Sequence, residues 1–286
     1  MSFSTQVKEE LSKLSNLANK ALVKAEMYGY LSTNNVSREK HCIKFSTENE
    51  YNINRFGKLL NNLSILKYDI NIVGKKFNIN IQKEQCDILE ELFREYKIEE
   101  RENEQKAFIR GIFLGGGTIN NPKNKYHIEI SVKDEGIAEL SINILNKYNI
   151  NFKILNKANV DKWIIYSKDG EEISKFLAFI EASTAVIKFE EIRVYRDMRN
   201  NINRIVNCET ANLSKTVGAA VKQIEAINKL KEEGKFNKLP DNLKEIAEIR
   251  INNPEASLTE LGKMLKIPIG KSGVNYRLQM IIKMSL

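Results

Sequence analysis

The stretch "FIRGIFLGGGTINNPKNKYHIEI" runs from Phe108 to Ile130, and its three consecutive glycines decide how the chain is read. A glycine run can cradle a phosphate, end a helix, or let two helices touch. A phosphate loop needs the pattern G-x-x-x-x-G-K-[ST] after a strand. Here Gly115-Gly116-Gly117-Thr118 is followed by Ile-Asn-Asn-Pro, with no lysine in place, and the preceding residues have a helical pattern. The dinucleotide pattern G-x-G-x-x-G fails as well, because its last position is Asn120. A second glycine–lysine stretch at 270–273 lacks its first glycine, since that position is Leu265, and Pro268 interrupts the approach. A nucleotide-binding loop is therefore disfavoured. Gly111 and Gly115 are four residues apart and share one helix face, where small residues let a second helix come close. Gly116 and Gly117 are then expected to end the helix in the left-handed conformation that glycine adopts cheaply. Gly29, on a helix of the first half, supplies the other side of the seam. A plain helix C-cap without a seam is the alternative.

Working outward, the elements repeat. Helical spacing covers Val7, Leu11, Leu14 and Leu17, with a second helix over about 20–33. "HCIKFSTE" follows as a strand, then a helix over 50–63, a hairpin about Gly74-Lys75-Lys76, and a charged helix over 83–96. "EERENEQ" (99–105) is a solvated charged run and a seam between halves. The second pass gives a helix at 104–115, the strand "KYHIEISV", a helix over 134–148, the strands "INFKI" and "WIIYS", and a helix over 169–181. Sliding the first half by 82 residues brings Gly29 onto Gly111, and Phe56, Leu60 and Leu63 onto Ala138, Ile142 and Leu145. Similar order and apolar positions imply an internal duplication. A third region lacks strand signals. It is expected to hold helices over 184–206 and 213–233 joined by "NCETANLSK", a linker "GKFNKLPDN", and three short helices at about 241–251, 258–265 and 272–284.

The fold class expected is α+β, a duplicated α/β N-terminal domain followed by an all-α module. The boundaries expected are 1–98, 99–205 and 206–286. Of a net charge of +8, residues 187–286 carry +6, with 18 Lys/Arg against 12 Asp/Glu. A basic last third points to an anionic partner, of which nucleic acid is the commonest; lysine-rich codon usage accounts for part of the excess. Three cysteines, odd in number and far apart, suit a reducing cytosol rather than a disulfide framework. No apolar run is long enough to span a bilayer. The only histidines are His41 and His127, and with no CxxC pair the chain offers no structural zinc site. No cofactor is implied.

Within the last module, Ser257 and Glu260 fit a capping box. Leu258, Leu261 and Leu265 form one apolar face, "KIPIG" turns, and Val274, Leu278 and Ile281 form the inward face of the next helix. Lys271, Ser272, Asn275, Tyr276 and Gln279 are left outside. That is the layout of a helix-turn-helix over about 253–286, whose second helix reads base edges through its N-terminal part. Asn and Gln pair with adenine, while Lys and Arg contact guanine or phosphate. Lys263, Lys266, Arg277 and Lys283 are the candidate phosphate contacts, which set affinity rather than sequence. A generic three-helix bundle with a solvated face is the plainer reading.

"MYGYLSTNN" (27–35) and "IRGIFLGGG" (109–117) each resemble the nine-residue LAGLIDADG motif of homing endonucleases. In that family the two motif helices pack together, and an acid before the final glycine holds divalent metal for strand cleavage. Those positions here are Asn34 and Gly116. Glu26, near the first motif, is opposed by Phe108 at the same offset and is expected to be a solvated or capping charge. "NCETANLSKTV" and "LTELGKMLKIPIGKSGVNYRL", with the glycine stretch, make the whole chain resemble the WhiA family of bacterial regulators. The resemblance implies a degenerate LAGLIDADG domain followed by a DNA-binding helix-turn-helix. It also implies a cytoplasmic, nucleoid-associated role in cell division, chromosome segregation, sporulation or transcription regulation. Three functions stand side by side: a non-enzymatic regulator of double-stranded DNA, a protein-interaction scaffold whose N-terminal domain binds another regulator, and an active metal-dependent nuclease, disfavoured by Asn34 and Gly116.

Overall fold

A computed structural model describes residues 1–39, 42–157 and 162–286; His41 lies outside them. Two helices, α2 (Lys20–Leu31) and α5 (Glu102–Gly116), pack against each other at the centre of an N-terminal unit, Met1–Asp197. Ahead of α2 stands α1 (Phe3–Ser12), capped by the Ser2 hydroxyl. It is shorter than its leucine spacing suggests. Leu14 and Leu17 lie half-buried in the connection to α2, where the Leu14 carbonyl accepts a hydrogen bond from Arg55 at 2.5 Å instead of continuing a helix.

Each motif helix leads into an antiparallel four-stranded sheet. The first half has β1 (Val36–Glu39), β2 (Cys42–Thr47), β3 (Tyr68–Val73) and β4 (Lys76–Ile81) in the order β1-β2-β4-β3. The second has β5 (Gly117–Ile119), β6 (Ile128–Val132), β7 (Lys153–Lys157) and β8 (Lys162–Ser167) in the order β5-β6-β8-β7. Helix α3 (Glu50–Asn62) matches α6 (Glu135–Lys147), with N-caps Asn49 and Asp134; α4 (Lys83–Phe93) matches α7 (Gly170–Phe179), with N-caps Gln82 and Asp169. The duplication is real, but its offset is not constant. It is 82 at Gly29/Gly111, 85 at the Asn49/Asp134 caps and 87 at the Gln82/Asp169 caps. The long β5–β6 connection, residues 120–127, absorbs most of the drift. The pairing of Phe56 with Ala138 is therefore out of register by about one helical turn.

The seam rests on missing side chains. A β-carbon at Gly111 would overlap the Glu26 carbonyl oxygen, and one at Gly29 would lie 2.8 Å from the Ile112 nitrogen. A β-carbon at Gly115 would lie 2.7 Å from the Thr33 hydroxyl. Gly116 and Gly117 do end α5, but not in the left-handed conformation. Positive φ among the glycines occurs at Gly74 and Gly234, and Gly117 is extended at φ −85°, ψ 148°. These two are glycines because a β-carbon at Gly116 would collide with the Ser131 carbonyl oxygen, and one at Gly117 with the Phe113 side chain. The helix passes straight into β5.

Glu26 corrects a second expectation. It is 1% exposed, neither solvated nor a cap. Its two carboxylate oxygens accept from Arg55 Nε at 2.7 Å and Nη2 at 2.9 Å, and from Arg110 Nε at 3.0 Å. Arg110 also pairs with Glu181, and Arg55 with the Asn16 amide oxygen. Burial pulls the Arg55 guanidinium down, and the bonds and charge of Glu26 more than offset this, leaving it above its ordinary value. A buried carboxylate is tolerated when charged donors meet both of its oxygens in this way. The charged run at 99–105 is likewise not wholly solvated: Glu104 and Gln105 lie inside α5 and are buried.

The second unit, Met198–Leu286, has its own core. The division falls inside α8 (Ser183–Glu232), one continuous helix where two had been expected. "NCETANLSK" (207–215) continues that helix; within it the Asn212 amide donates to Cys208 Sγ, and just after it the Thr216 hydroxyl donates to the Asn212 carbonyl. After a short 3₁₀ turn at Phe236–Lys238 come α9 (Asp241–Asn252), α10 (Leu258–Met264) and α11 (Lys271–Met284). Ala226, Ile227 and Leu230 of α8 join Leu243, Ile246, Leu261, Leu265, Val274, Leu278 and Ile281 in one buried cluster.

Candidate nucleic-acid interface

Helix α10 starts with both halves of the capping box. The Ser257 hydroxyl accepts from the Glu260 amide at 3.3 Å, and the Ser257 amide donates to the Glu260 carboxylate at 2.8 Å. These bonds hold the exposed Glu260 carboxyl below its ordinary pKa. The turn after α10 folds back on it. The Ile269 amide donates to the Gly262 carbonyl at 3.1 Å, and a β-carbon at Gly262 would collide with the Ile269 carbonyl oxygen. Arg250 of α9, 2% exposed, fixes the preceding loop by donating to the Ala256 carbonyl at 2.8 Å; burial lowers its pKa. Gly262 and Arg250 went unread in the sequence. The signals were there: a glycine inside a short helix, and an arginine within an apolar helical face.

With α10 and the turn fixed, α11 is oriented by burying Val274, Leu278 and Ile281. At 100° per residue, Ser272, Asn275, Tyr276, Gln279 and Lys283 then share an arc of about 100°, and all five are exposed. Tyr276 is 67% exposed, far too open for a core residue. Lys271 stands at the helix start, and Lys263 and Lys266 are exposed on and after α10. Arg277 is set apart from this arc. It is half-buried on the side facing α9, within 3.5 Å of the Asn242 carbonyl. The exposed face continues where the sequence reading did not follow it. A groove between α11 and α8 is lined by Gln279, Ile282, Lys215, Lys222 and Gln223, which adds two cations from α8.

At the ends of the motif helices the chemistry is structural. The Asn34 amide donates to Ser131 Oγ and to the Val132 carbonyl, both at 2.8 Å, and the Asn35 amide donates to the Gly115 carbonyl at 2.7 Å. Thr33 forms a β-bridge to Val132. Each of these bonds ties one half to the other. Among the described residues, no group of three or more His, Cys, Asp or Glu side chains is placed to hold a metal ion, and no helix is long and apolar enough to cross a membrane.

Comparison with known proteins agrees with this architecture. The model of the WhiA LAGLIDADG-like domain matches residues 105–199, and that of the WhiA C-terminal HTH domain matches residues 202–285. A protein of Clostridium tetani (strain Massachusetts / E88) named "Probable cell division protein WhiA" is 42% identical, over 100% of this chain and 97% of its own length. One of the same name from Clostridium novyi (strain NT) is 36% identical over 100% and 98%. The crystal structure of "full-length DUF199/WhiA from Thermatoga maritima" superposes with a TM-score of 0.64 at 28% identity, over 100% of this chain and 98% of that one. A glycine-seamed, duplicated α/β unit with Asn34 and Gly116 at the motif's acid positions, joined to a helix-turn-helix, is thus a degenerate LAGLIDADG architecture, and the chain belongs to the WhiA family.

Proposed function

We propose that this protein is a non-enzymatic, sequence-specific binder of double-stranded DNA that acts as a transcription regulator in cell division, the process for which its relatives are named. The reading extends to a cytoplasmic, nucleoid-associated protein with a part in chromosome segregation or sporulation. It divides the chain into two LAGLIDADG-like halves, 1–98 and 99–205, and a helical DNA-binding domain, 206–286. One observation carries the proposal: the exposed arc of α11 sets Asn275, Tyr276 and Gln279 beside Lys271 and Lys283, polar base-reading groups flanked by cations. Lys263 and Lys266 supply phosphate contacts, and Lys215 and Lys222 extend the basic surface along the groove to α8. Arg277, turned toward α9, contributes to the edge of the interface.

The experiment is genome-wide mapping of sites bound by the full-length protein, followed by binding titrations on a recovered site in rising salt, with Mg²⁺ present and cleavage scored in the same lanes. Binding that falls steeply with salt, without strand scission, fits neutralisation of phosphates by lysines. Salt-independent binding or metal-dependent scission overturns the proposal.

A further inference from the structure

Helix α1 has no counterpart in the second half: among the described residues no helix lies between α4 and α5. Its seat is well defined. It buries Phe3, Val7 and Leu11 and packs on α3, α5 and β5. Lys8 Nζ donates to the Leu114 carbonyl at 3.2 Å, the Asn49 amide donates to the Thr5 carbonyl at 3.4 Å, and the Ile119 amide donates to the Ser4 hydroxyl at 3.4 Å. Exchanging each wall for its mate in the duplication gives α6, α2 and β1. Those three elements, with α4, line an open cavity of about 700 Å³. Its apolar floor is Leu31, Val36, Leu89, Phe93 and Ile137. The cavity is the seat of α1 repeated in the other half and left without its helix.

The two seats differ in charge. Lys133 precedes the α6 cap as Glu48 precedes the α3 cap, and Arg94 follows α4 as Glu181 follows α7. At these two matched positions the open seat has cations where the other half of the duplication has carboxylates, of which Glu181 is taken up by Arg110. Arg38 adds a third, held 3.3 Å from Glu90. Lys133 is half-buried, and its pKa is lowered by burial and then by the charge of Arg38. The acids at the rim are Glu90, shared with Arg38, Asp134, whose carboxylate is occupied in capping the Ile137 amide at 2.9 Å, and Glu91, an exposed partner of Arg94 at 2.7 Å.

We infer that the groove between α2, α4, β1 and α6 is a docking site for an amphipathic helix of a partner protein, one whose apolar stripe repeats the Phe3–Val7–Leu11 spacing and whose flanks are acidic. Apolar anchors at i, i+4 and i+8 enter such grooves as helical ridges, and the cationic rim selects the sign of the flanks. The site lies wholly within the N-terminal unit and stands whether or not the C-terminal unit binds DNA.

The test uses the full-length protein and three labelled, hydrocarbon-stapled peptides on the α1 apolar frame, with acidic, neutral or basic flanks. Fluorescence anisotropy reads their affinity for the parent chain and for a Lys133→Glu/Arg94→Glu variant of matching circular dichroism and melting temperature; if that variant is misfolded, Arg94→Glu alone, at an exposed position, takes its place. The expected order on the parent is acidic, then neutral, then basic, with the acidic peptide losing about tenfold in affinity on the reversed variant and the basic peptide gaining. Absence of saturable binding by all three peptides, or an order that ignores the reversal, overturns the inference. So does occupancy by a small anionic amphiphile, with octanoate as the probe, when the peptides fail to bind. A concentration-dependent dimer of the parent that the reversal abolishes also overturns it, because a second copy is then the occupant.

Discussion

Gly111 brings the backbone of α5 against the carbonyl of Glu26 so closely that the carbonyl carbon would stand 2.9 Å from any β-carbon built there. Both atoms belong to helix backbones, so neither can swing aside. Gly111→Ala is expected to cost about 1–3 kcal/mol, and Gly111→Leu more, since a packed seam has no room to repack. Gly218→Ala is the control: nothing lies within 4 Å of its β-carbon position, and it sits in a helix interior. That change should stabilise by about 0.5–1 kcal/mol. Urea unfolding of the three variants checks the pair, and a neutral Gly111→Ala would remove the seam from the argument.

Removing the Glu26 charge leaves two buried guanidiniums, both 1% exposed, facing each other without it. Glu26→Gln is expected to destabilise the N-terminal unit by about 3–5 kcal/mol, the range for one partner lost from a buried ion pair. Glu9→Gln, which breaks the solvent-screened pair with Lys13, should leave stability nearly unchanged. A Glu26→Gln protein as stable as Glu9→Gln would mean that water already screens the network.

Lys8 offers a pH signature. Burial lowers its ammonium from 10.5 to about 8. Below that value both folded and unfolded chains hold the proton, and the folded chain bears the full cost of a desolvated charge. Between about 8 and 10.5 the unfolded chain binds the proton that the folded chain has released, so this residue makes stability rise with pH across that window. Lys8→Met should abolish that rise, whatever constant change the loss of the bond to the Leu114 carbonyl brings. Parallel pH–stability curves for parent and variant, kept below the tyrosine titrations, would contradict the assignment.

Most of this fold is legible in the sequence, and each exception has its own physical cause. Helices α3, α6 and α7 and the hairpin at Gly74 announce themselves through periodicity and caps. Strands β1 and β5, four and three residues long, are too short to show an alternation. The break expected at "NCETANLSK" rests on residues of weak helix propensity, and propagation from the flanking turns carries the helix through them. Glu26 was misjudged because its partners are 29 and 84 residues away. The clue was that it shares the Gly29–Tyr30 face of α2, one turn before the seam, where a charge has to be paired. The exposed arc of α11 follows from the 3.6-residue period alone. Lys215 and Lys222 belong to its surroundings only through tertiary packing, which no spacing reveals.

Restoring the motif acids should not restore a metal site. Asn34→Asp exchanges two donated hydrogen bonds, to the Ser131 hydroxyl and the Val132 carbonyl, for a carboxylate that has no proton to give the Val132 carbonyl oxygen it faces. Gly116→Asp drives a β-carbon into the Ser131 carbonyl. The double variant is expected to lose stability and to show no nicking of supercoiled plasmid over hours with Mn²⁺, as is the parent. Nicking by the double variant would show that the remaining ligands and the path for DNA are intact.

On DNA, Asn275→Ala and Lys263→Ala should separate. The first is expected to cost about 1–3 kcal/mol at the preferred site and little on random duplex, whereas the second weakens both alike and reduces the salt slope by about one. Competition titrations with specific and random duplexes at two salt concentrations read both quantities. Equal losses from Asn275→Ala on the two duplexes would place it among the phosphate contacts.

The ion-pair network at the seam also determines whether the two halves could trade places. Glu26 of the first half takes Arg110 from the second, while the positions matched to them in the duplication are Phe108 and Tyr28, an aromatic pair whose rings stack 5.6 Å apart. Two copies of the first half, docked through their glycines as a symmetric dimer, would therefore bury two Glu26 carboxylates beside the axis with no Arg110 to meet either. Two copies of the second half would bury Arg110 with no Glu26. In either dimer the buried charge keeps its partner within the half, Arg55 for Glu26 and Glu181 for Arg110, and loses the one that crosses the seam. The acid–base pair across the seam thus makes the joined halves a better match than two copies of either, and it fixes which helix sits opposite which.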